Sequence, residues 1–234
     1  NTLFVLAGST PSSQERTKVC NDVWCSEDRG TTWALVTAAA PWKARDYAAV
    51  VRLVNGRIAV MGGCTSDGVL NDVWVSEDGV SWRQITSSAP WSQRSDMTVL
   101  RLPSGGLWLF GGADDRTFRF NDVWTSSPNA TSWTLMTRAF VVPAQTVQGV
   151  VTSQNYMLLM QDHVWGAPDG VHWLEHTSAA PWGRRFGESI AVISNDTVRR
   201  IVFLATICES IATRFSGFGF RWIQFVAGII RCLQ

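Results

Sequence analysis

The sequence predicts an all-β fold made of short antiparallel sheets that repeat along the chain. The tetrapeptide Asn-Asp-Val-Trp occurs at Asn21–Trp24, Asn71–Trp74 and Asn121–Trp124, at a spacing of 50 residues, and a variant follows at Asp162–Trp165. The apolar runs between these motifs are short, rich in Val, Ile, Thr and Trp, and bounded by Gly, Asn or Pro. Such runs are typical of strands and turns rather than helices, and a fixed period of this length predicts a repeat architecture.

The unit that begins at residue 45 shows four strands in order. Asn55–Gly56 and Asp78–Gly79 are strong turn signals, and the double glycine Gly62–Gly63 ends the second apolar run. The predicted strands are Tyr47–Val54, Arg57–Met61, Asn71–Ser76 and Ser81–Thr86. Four short strands repeated at this period are the sequence signature of a β-propeller blade.

The repeats predict four to five blades. Complete units span 45–88, 94–138 and 144–178, and partial units span 1–39 and 185–206. Propellers close with about four to eight blades, so we expect an incomplete ring and a chain that is a piece of a larger product. The alternative is a four-bladed closure in which the C-terminal unit supplies the first strand that the N-terminal unit lacks.

The segment 207–234 departs from the repeat. It is apolar, but Glu209, Arg214, Arg221 and Arg231 interrupt every window that could serve as a membrane span, which needs about 20 mostly apolar residues. We expect an atypical end to the fold, with a membrane-associated helix as the alternative.

A second tryptophan also recurs in each repeat. Each Asn-Asp-Val-Trp indole is followed by another eight or nine residues later. Because an indole buries a large area with few rotatable bonds, we expect these side chains to wedge neighbouring sheets together. The repeated indoles are Trp24, Trp33, Trp74, Trp82, Trp124, Trp133, Trp165 and Trp173.

Two family resemblances cover roughly residues 1–206. An apolar run, Gly-Gly, Asn-Asp-Val-Trp and a second Trp, as in Ile58–Gly63 with Asn71–Trp82, resemble the kelch-type propeller of the galactose oxidase/kelch-like superfamily. Ser26–Trp33 and, in a shortened form, Ser76–Trp82 resemble the Asp box of sialidase-type propellers, with Asp28 and Asp78 at the acidic position. The second resemblance implies a folding element between the third and fourth strands and favours an extracellular protein. Neither identifies an activity, since propellers host many.

An arginine recurs three residues after Pro-Trp at Arg45, Arg94 and Arg185, with Gln145 at the matching site of the fourth unit. A residue repeated in every blade points to blade construction, so we expect each arginine to stack on Trp or pair with the Asp of Asn-Asp-Val-Trp. The alternative is a ring of arginines that grips an anion, as sialidases grip a carboxylate.

Alternating strand direction places the loops between the second and third strands on one face, together with the connections between units. This face carries the variable segments 9–20, 64–70 and 113–120, and loops on a rigid scaffold are common binding sites. Solvated loops without a ligand are the alternative. The candidate binding residues are Arg16, Lys18, Asp67, Asp114, Asp115, Arg116 and Arg119.

No set of residues predicts catalysis. Tyr47 and Tyr156 are the only tyrosines and have no neighbouring Glu, while His163, His172 and His176 lack metal-ligand spacing. We therefore expect no catalytic residue, no metal and no cofactor.

Charge narrows the class of partner. The net charge is +1, from 20 basic and 19 acidic side chains, whereas nucleic acids and anionic membranes favour basic proteins. We expect no nucleic-acid partner and no membrane partner. The expected function is a non-catalytic scaffold for a protein or glycan, and the alternative is a fragment of a sialidase-like glycoside hydrolase.

Overall fold

A computed structural model describes residues 2–10, 18–116, 118–140, 148–152, 156–181, 183, 188–194 and 199–205. These residues form strands, turns and bends without a helix, and the expected all-β fold is confirmed. Arg16, Gln145, Trp182, Arg185 and the tail 207–234 lie outside the described residues. Within the described part, therefore, no helix has the length and apolarity that a membrane span requires.

Sheet 1 is three-stranded, in the order β1 (Leu3–Leu6), β4 (Val23–Ser26) and β5 (Ala34–Thr37). A small antiparallel ladder, β2 (Ser9–Thr10) with β3 (Lys18–Val19), extends from its end. The predicted variable segment 9–20 therefore begins and ends in paired strand.

Sheet 2 contains four antiparallel strands in sequential order: β6 (Ala49–Arg52), β7 (Ile58–Thr65), β8 (Gly68–Ser76) and β9 (Trp82–Thr86). The expectation of a 64–70 loop was wrong over most of its length, because β7 and β8 stay paired as far as Thr65↔Gly68. A bulge at Met61/Gly63 takes up the change in twist, and the ladder then continues to a two-residue turn.

Sheets 3 and 4 repeat this plan. Sheet 3 comprises β10 (Thr98–Arg101), β11 (Leu107–Phe110), β12 (Val123–Ser126) and β13 (Trp133–Thr137). Sheet 4 comprises β14 (Gln148–Val151), β15 (Met157–Met160), β16 (Val164–Ala167) and β17 (Leu174–Thr177). A two-stranded sheet, β18 (Glu188–Ser194) with β19 (Arg199–Ala205), follows.

The first strands of successive sheets lie side by side: β10 contacts both β6 and β14, and β14 contacts β18. The architecture is propeller-like, with sheets arranged face to face and their first strands at the inner edge. The number of blades and the closure of the ring stay predictions.

The cores lie between the sheets, as expected from the spacing of the indoles. Trp42 packs edge-on against Trp82 between sheets 1 and 2, with ring centroids 5.7 Å apart. Trp91 meets Trp133 in the same way between sheets 2 and 3, at 5.9 Å. In each pair, one indole comes from the connection after a sheet and the other from the fourth strand of the next sheet. The same contact therefore recurs at successive interfaces.

The double glycine admits the connecting backbone. Gly63 has φ +98°, and a Cβ there would lie 2.7 Å from the Asp46 carbonyl oxygen; a Cβ on Gly62 would lie 2.7 Å from that of Arg94. No larger residue fits at that separation. This close approach fixes Arg45 and Arg94 at the junction between sheets.

Candidate functional site

Two of the repeated arginines, Arg45 and Arg94, have structural partners. Arg45 is completely buried; its Nη1 and Nη2 atoms donate to the two carboxylate oxygens of Asp72 at 2.6 and 2.9 Å. Nη1 also donates to the Gly62 carbonyl and Nε to that of Lys43, and the guanidinium lies 5.7 Å from the Trp42 ring. The predicted ion pair and the predicted contact with Trp are both present here.

Arg94 repeats this arrangement in sheet 3. It is also fully buried, pairs with Asp122 at 2.6 and 2.9 Å, and lies over the Phe120 ring at 4.1 Å. Burial raises the pKa of Asp122, but the hydrogen bonds from Arg94 and Trp124 outweigh burial and hold it below its usual range. Because both guanidiniums are buried and occupied, Arg45 and Arg94 do not present an anion-binding surface.

The main chain at these arginines also joins adjacent sheets. The Arg45 amide donates to the Cys20 carbonyl, and the Gly8 amide donates to the Arg45 carbonyl. The Arg94 amide donates to Leu70, and the Gly63 amide donates to Arg94. Each arginine therefore bonds to its own sheet through its side chain and to the preceding sheet through its backbone.

The end of the sheets that carries the β2–β3 ladder, the β7–β8 turn and the segment 113–119 is called here the hairpin end. At the β7–β8 turn, exposed Lys43 donates to Asp67 at 3.2 Å, which lowers the pKa of the Asp67 carboxyl. An exposed pair of this kind contributes little to stability. Lys18 is exposed at the start of β3.

The Asp114 side chain holds the 113–119 segment in place. The Asp114 carboxylate accepts hydrogen bonds from the amides of Arg116 and Phe118 at 2.9 and 2.7 Å. This bonding leaves the Phe118 ring 62% exposed and edge-on to Phe120. Asp115 and Arg116 are exposed on the same turn, and Arg119 forms a bridge with Ala113.

A groove of about 260 Å³ runs along the inner edge of sheets 2, 3 and 4 and is called here the inner groove. Residues of β6, β10 and β14 line it, together with the residues that precede the first two of these strands. The lining is Tyr47–Val50, Asp96–Leu100, Gln148 and Gly149. The Tyr47 side chain is 65% exposed at this groove.

Tyr47 and Asp96 occupy the same position of consecutive repeats, two residues after Arg45 and Arg94. Both have left-handed backbones, with φ +49° and +58°, and the Asp96 amide donates to the Tyr47 carbonyl at 2.9 Å. Residues other than glycine rarely adopt this conformation, and such strain concentrates at functional sites. The expected strand Tyr47–Val54 therefore begins two residues late, because Tyr47 turns out of the extended backbone.

The inner groove and the hairpin end meet at Asp46. This residue precedes Tyr47 and forms a backbone bridge with Cys64 near the β7–β8 turn. Burial raises the pKa of the Asp46 carboxyl. Burial also raises the pKa of the Cys64 thiol, and the charges of Asp46 and Asp115 add to that effect.

The histidines have separate partners in sheet 4. His163 Nδ1 lies 2.5 Å from Glu175, His172 Nδ1 lies 2.6 Å from Asp169, and His176 Nε2 lies 3.0 Å from the Tyr156 hydroxyl. Among the described residues, no three His, Cys, Asp or Glu side chains converge as metal ligands would.

The Asp28 side chain holds the Ser26–Trp33 turn together. The Asp28 carboxylate accepts hydrogen bonds from the hydroxyl and amide of Thr32 and from the Ser26 hydroxyl, which lower its pKa to about 2. The Ser26 hydroxyl in turn accepts the Gly30 amide. Asp28 therefore folds this turn.

The structure places the β7–β8 turn next to the 113–119 segment, since a Cβ on Gly68, beside Asp67, would lie 3.8 Å from Asp115 Oδ2. Asp67 is paired with Lys43, and Asp114 shapes its own loop, while Arg16 lies outside the described residues. Sequence reasoning missed the inner groove, although one signal was available: the position two after each repeated arginine varies strongly, with Tyr47 in one repeat and Asp96 in the next.

No family model and no curated protein matches the sequence. The three-dimensional structure is similar to a solved structure described as "Structure of YjhT", with a TM-score of 0.61 and 16% identity. The match covers 75% of this chain and 64% of that chain, so this chain spans just under two thirds of the length of the solved structure. A likeness at this identity supports the fold and leaves the function open.

Proposed function

We propose that this protein is a non-catalytic binding scaffold whose inner groove holds a carbohydrate. The observation that carries the proposal is that Tyr47 and Asp96 both line this groove with left-handed backbones. An exposed phenol ring offers an apolar face to a sugar ring, and a carboxylate with the nearby Thr98 hydroxyl and Gln148 amide offers hydrogen-bond partners to sugar hydroxyls.

The size of the inner groove favours a small ligand. Its volume of about 260 Å³ lies just below the range of about 300–1,000 Å³ found for drug-sized ligands. One or two sugar rings would fit, and a longer glycan would extend towards the hairpin end past Asp46.

We propose that the sheets are kelch-type blades of a larger propeller with Asp-box turns. The hydrogen bonds of Asp28 and Asp78 to their turns support this reading, as does the Val-Trp of Asn-Asp-Val-Trp, which lies on the third strand of sheets 2 and 3.

The test is a glycan array followed by calorimetric titration of the glycans retained. Tyr47→Ala and Asp96→Asn should each weaken binding by about tenfold, since each removes one of the two contacts. Phe118→Ala is the matched control, because it removes an equally exposed ring from the hairpin end. Binding lost in Phe118→Ala and kept in Tyr47→Ala would move the site to the hairpin end and overturn the proposal.

Tyr47→Phe separates binding from hydrolysis. It keeps the ring and removes the hydroxyl, so glycan affinity should change little. If the protein cleaves a fluorogenic sialoside and this variant does not, the protein is a hydrolase with Tyr47 as its nucleophile, and the non-catalytic proposal fails.

A further inference from the structure

The turn between the third and fourth strands of sheet 3 differs from the corresponding turns of sheets 2 and 4. In sheets 2 and 4 the residue four before the tryptophan of the fourth strand is an aspartate, Asp78 or Asp169. Each of these carboxylates accepts hydrogen bonds from two amides of its own turn, at 2.8–3.0 Å. In sheet 3 the same position holds Asn129.

A serine takes over the hydrogen bonds of the aspartate in sheet 3. The Ser127 hydroxyl oxygen accepts the amides of Thr131 and Ser132, both at 3.2 Å. The Ser127 carbonyl accepts the Ala130 amide at 2.9 Å. The turn therefore closes without the Asn129 side chain, and a group attached to that side chain would break none of the hydrogen bonds that hold the turn.

The two polar atoms of the Asn129 side chain have different surroundings. The Oδ1 atom accepts a hydrogen bond from Asn55 Nδ2 at 3.1 Å, which links this turn to the β6–β7 turn of sheet 2. The Nδ2 atom donates to no described residue, and Asn129 is exposed. A substituent on Nδ2 would therefore leave in place the acceptor atom that Asn55 uses.

Asn129 also begins the tripeptide Asn129-Ala130-Thr131, which has the Asn-x-Ser/Thr pattern of N-linked glycosylation. Asn129 and Thr131 are both exposed, whereas Ala130 between them is buried in the core with φ +57°. Only the residue that the pattern leaves unspecified therefore packs between the sheets. A second tripeptide of this pattern, Asn195-Asp196-Thr197, lies outside the described residues.

The surroundings of Asn129 are three short turns that face solvent. A Cβ on Gly105, in the β10–β11 turn, would lie 3.0 Å from Val54 Cγ1 and 3.2 Å from Pro128 Cβ. The β6–β7, β10–β11 and β12–β13 turns therefore lie side by side, at the end of the sheets opposite the hairpin end. Val54, Asn55 and Pro128 are all exposed there, so a bulky group on Asn129 has solvent to extend into.

We propose that Asn129 is an N-glycosylation site and that its glycan stands over the corner formed by these three turns. The donor is an oligosaccharide joined to a lipid pyrophosphate. A bond forms between Asn129 Nδ2 and the anomeric carbon as the bond from that carbon to the pyrophosphate oxygen breaks. Nδ2 passes one proton to a base of the transferase, and the lipid pyrophosphate leaves. The linked nitrogen keeps one hydrogen, and Oδ1 still accepts Asn55.

The glycan limits which surfaces of the protein can bind a partner. It stands beside the exposed Val54 side chain, so it covers the end of sheets 2 and 3 that carries these turns. The hairpin end and the inner groove stay open. The inference does not depend on the proposed function, because the glycan carried by Asn129 and a glycan held in the inner groove involve different residues.

The test is expression of the full chain with a secretion signal in a human cell line, followed by mass spectrometry. Trypsin cleaves after Arg119 and Arg138, so the peptide 120–138 contains Asn129 and no other Asn-x-Ser/Thr tripeptide. Enzymatic release of N-glycans in heavy-oxygen water should convert Asn129 of this peptide into an isotopically labelled Asp.

Variants assign the label to the tripeptide. Asn129→Gln and Thr131→Ala should each abolish the label, while Thr131→Ser should keep it, because a hydroxyl stays at the third position. Ser132→Ala is the matched control, since it removes an exposed hydroxyl next to the tripeptide and should leave the occupancy unchanged. Asn195→Gln should also leave the label in the peptide 120–138 unchanged.

The unfolding midpoint tests whether the turn accepts the glycan. It should be nearly the same before and after the glycan is removed from the folded protein, because the bonds of Ser127 hold the turn in both states. An unlabelled peptide 120–138 from the secreted protein would overturn the proposal, as would a glycan present on aggregated chains and missing from folded ones. If little protein is exported, translation into microsomes gives the same readout, and an unmodified Asn129 there would overturn the proposal as well.

Discussion

Sheets 2 and 3 differ from sheet 4 around the third strand. In the former, Arg45 and Arg94 pair with aspartates whose carboxylates also accept the neighbouring indole N–H. In sheet 4 the register puts His163 at the aspartate position, where it contacts Glu175 instead. The Trp165 indole N–H, in turn, is buried without a partner among the described residues.

Both halves of the ion pair have changed together. Gln145 takes the place of the arginine in the sequence, just as His163 takes that of the aspartate. A buried charge left without its partner is costly, whereas replacing both partners is close to neutral. The arginine and the aspartate therefore act as one unit, and sheet 4 forms without them.

The apolar contact between sheets follows a different rule. In the sequence, Val141–Val142 follow sheet 3 at the position where Pro-Trp follows sheets 1 and 2. Phe140 stands at the position of Ala89, and its amide bonds to Asn121 as that of Ala89 bonds to Asn71. Phe140 packs edge-on against Trp173, with ring centroids 5.2 Å apart, much as Trp91 packs against Trp133. Aromatic packing at this interface is therefore preserved by a ring from another position.

The largest expected effect tests this replacement. Trp91→Ala should lower the free energy of unfolding by about 3–5 kcal/mol, because it leaves a cavity in the core between sheets 2 and 3. Phe140→Ala should lower the free energy of unfolding by a similar amount if its ring fills the equivalent space between sheets 3 and 4. Chemical denaturation measures both, and a loss below about 1 kcal/mol for Phe140→Ala would show that sheet 4 is held in another way.

A smaller effect tests the ion pair. Arg94→Gln should lower the free energy of unfolding by about 3 kcal/mol, because it leaves the Asp122 carboxylate partly buried and unpaired. The double variant Arg94→Gln/Asp122→His imitates sheet 4, and we expect it to cost at least about 1 kcal/mol less than the sum of the single changes. Arg101→Gln, on the exposed side of β10, is the control and should stay within about 0.5 kcal/mol of wild type.

Lowering the pH should reduce the loss of unfolding free energy that Arg94→Gln causes. The native pKa of Asp122 is held below its usual value, so the stability that this carboxylate contributes is present above about pH 4 and is lost as pH falls through the native pKa. Equal penalties at pH 6 and pH 3, measured by urea unfolding, would contradict the assigned pair.

Much of the fold follows from the sequence because its repeats encode local and nearest-neighbour contacts. The repeated indoles predict packing between sheets, which the structure shows as the contact of Trp42 with Trp82. The repeated arginine predicts a contact with Trp or an ion pair with the Asp of Asn-Asp-Val-Trp, and Arg45 pairs with Asp72. The β7–β8 extension was missed, because backbone pairing beyond the Gly62–Gly63 bulge depends on twist rather than on an apolar pattern.

The candidate site was harder to predict than the fold. Tyr47 belongs to an apolar run in the sequence, and its left-handed backbone arises from the junction at which the Asp96 amide bonds to its carbonyl. Such a tertiary constraint leaves no local pattern. The exposure of Leu3 and Val5 was not predicted either, because apolar residues at the equivalent positions of sheets 2, 3 and 4 are buried.

The smallest expected effect concerns the turns before the fourth strands of sheets 1 and 4. Hydrogen bonds from the Thr32 hydroxyl and amide, with the Ser26 hydroxyl, lower the pKa of Asp28 to about 2. The His172 side chain, with the amides of His172 and Val171, does the same for Asp169. Since both pKa values lie below the unfolded value near 3.8, each acid stabilises the fold above that pH and loses its contribution as pH falls towards 2.

Asp28→Asn and Asp169→Asn should therefore lower the urea midpoint at pH 5.5, and the difference from wild type should vanish near pH 2. His172→Thr gives sheet 4 the hydroxyl donor that sheet 1 has in Thr32 and should keep the pH profile of Asp169. If this variant behaves like Asp169→Asn instead, the imidazole has a role that a hydroxyl does not supply, and the two turns differ in mechanism as the ion-pair positions of sheets 3 and 4 do.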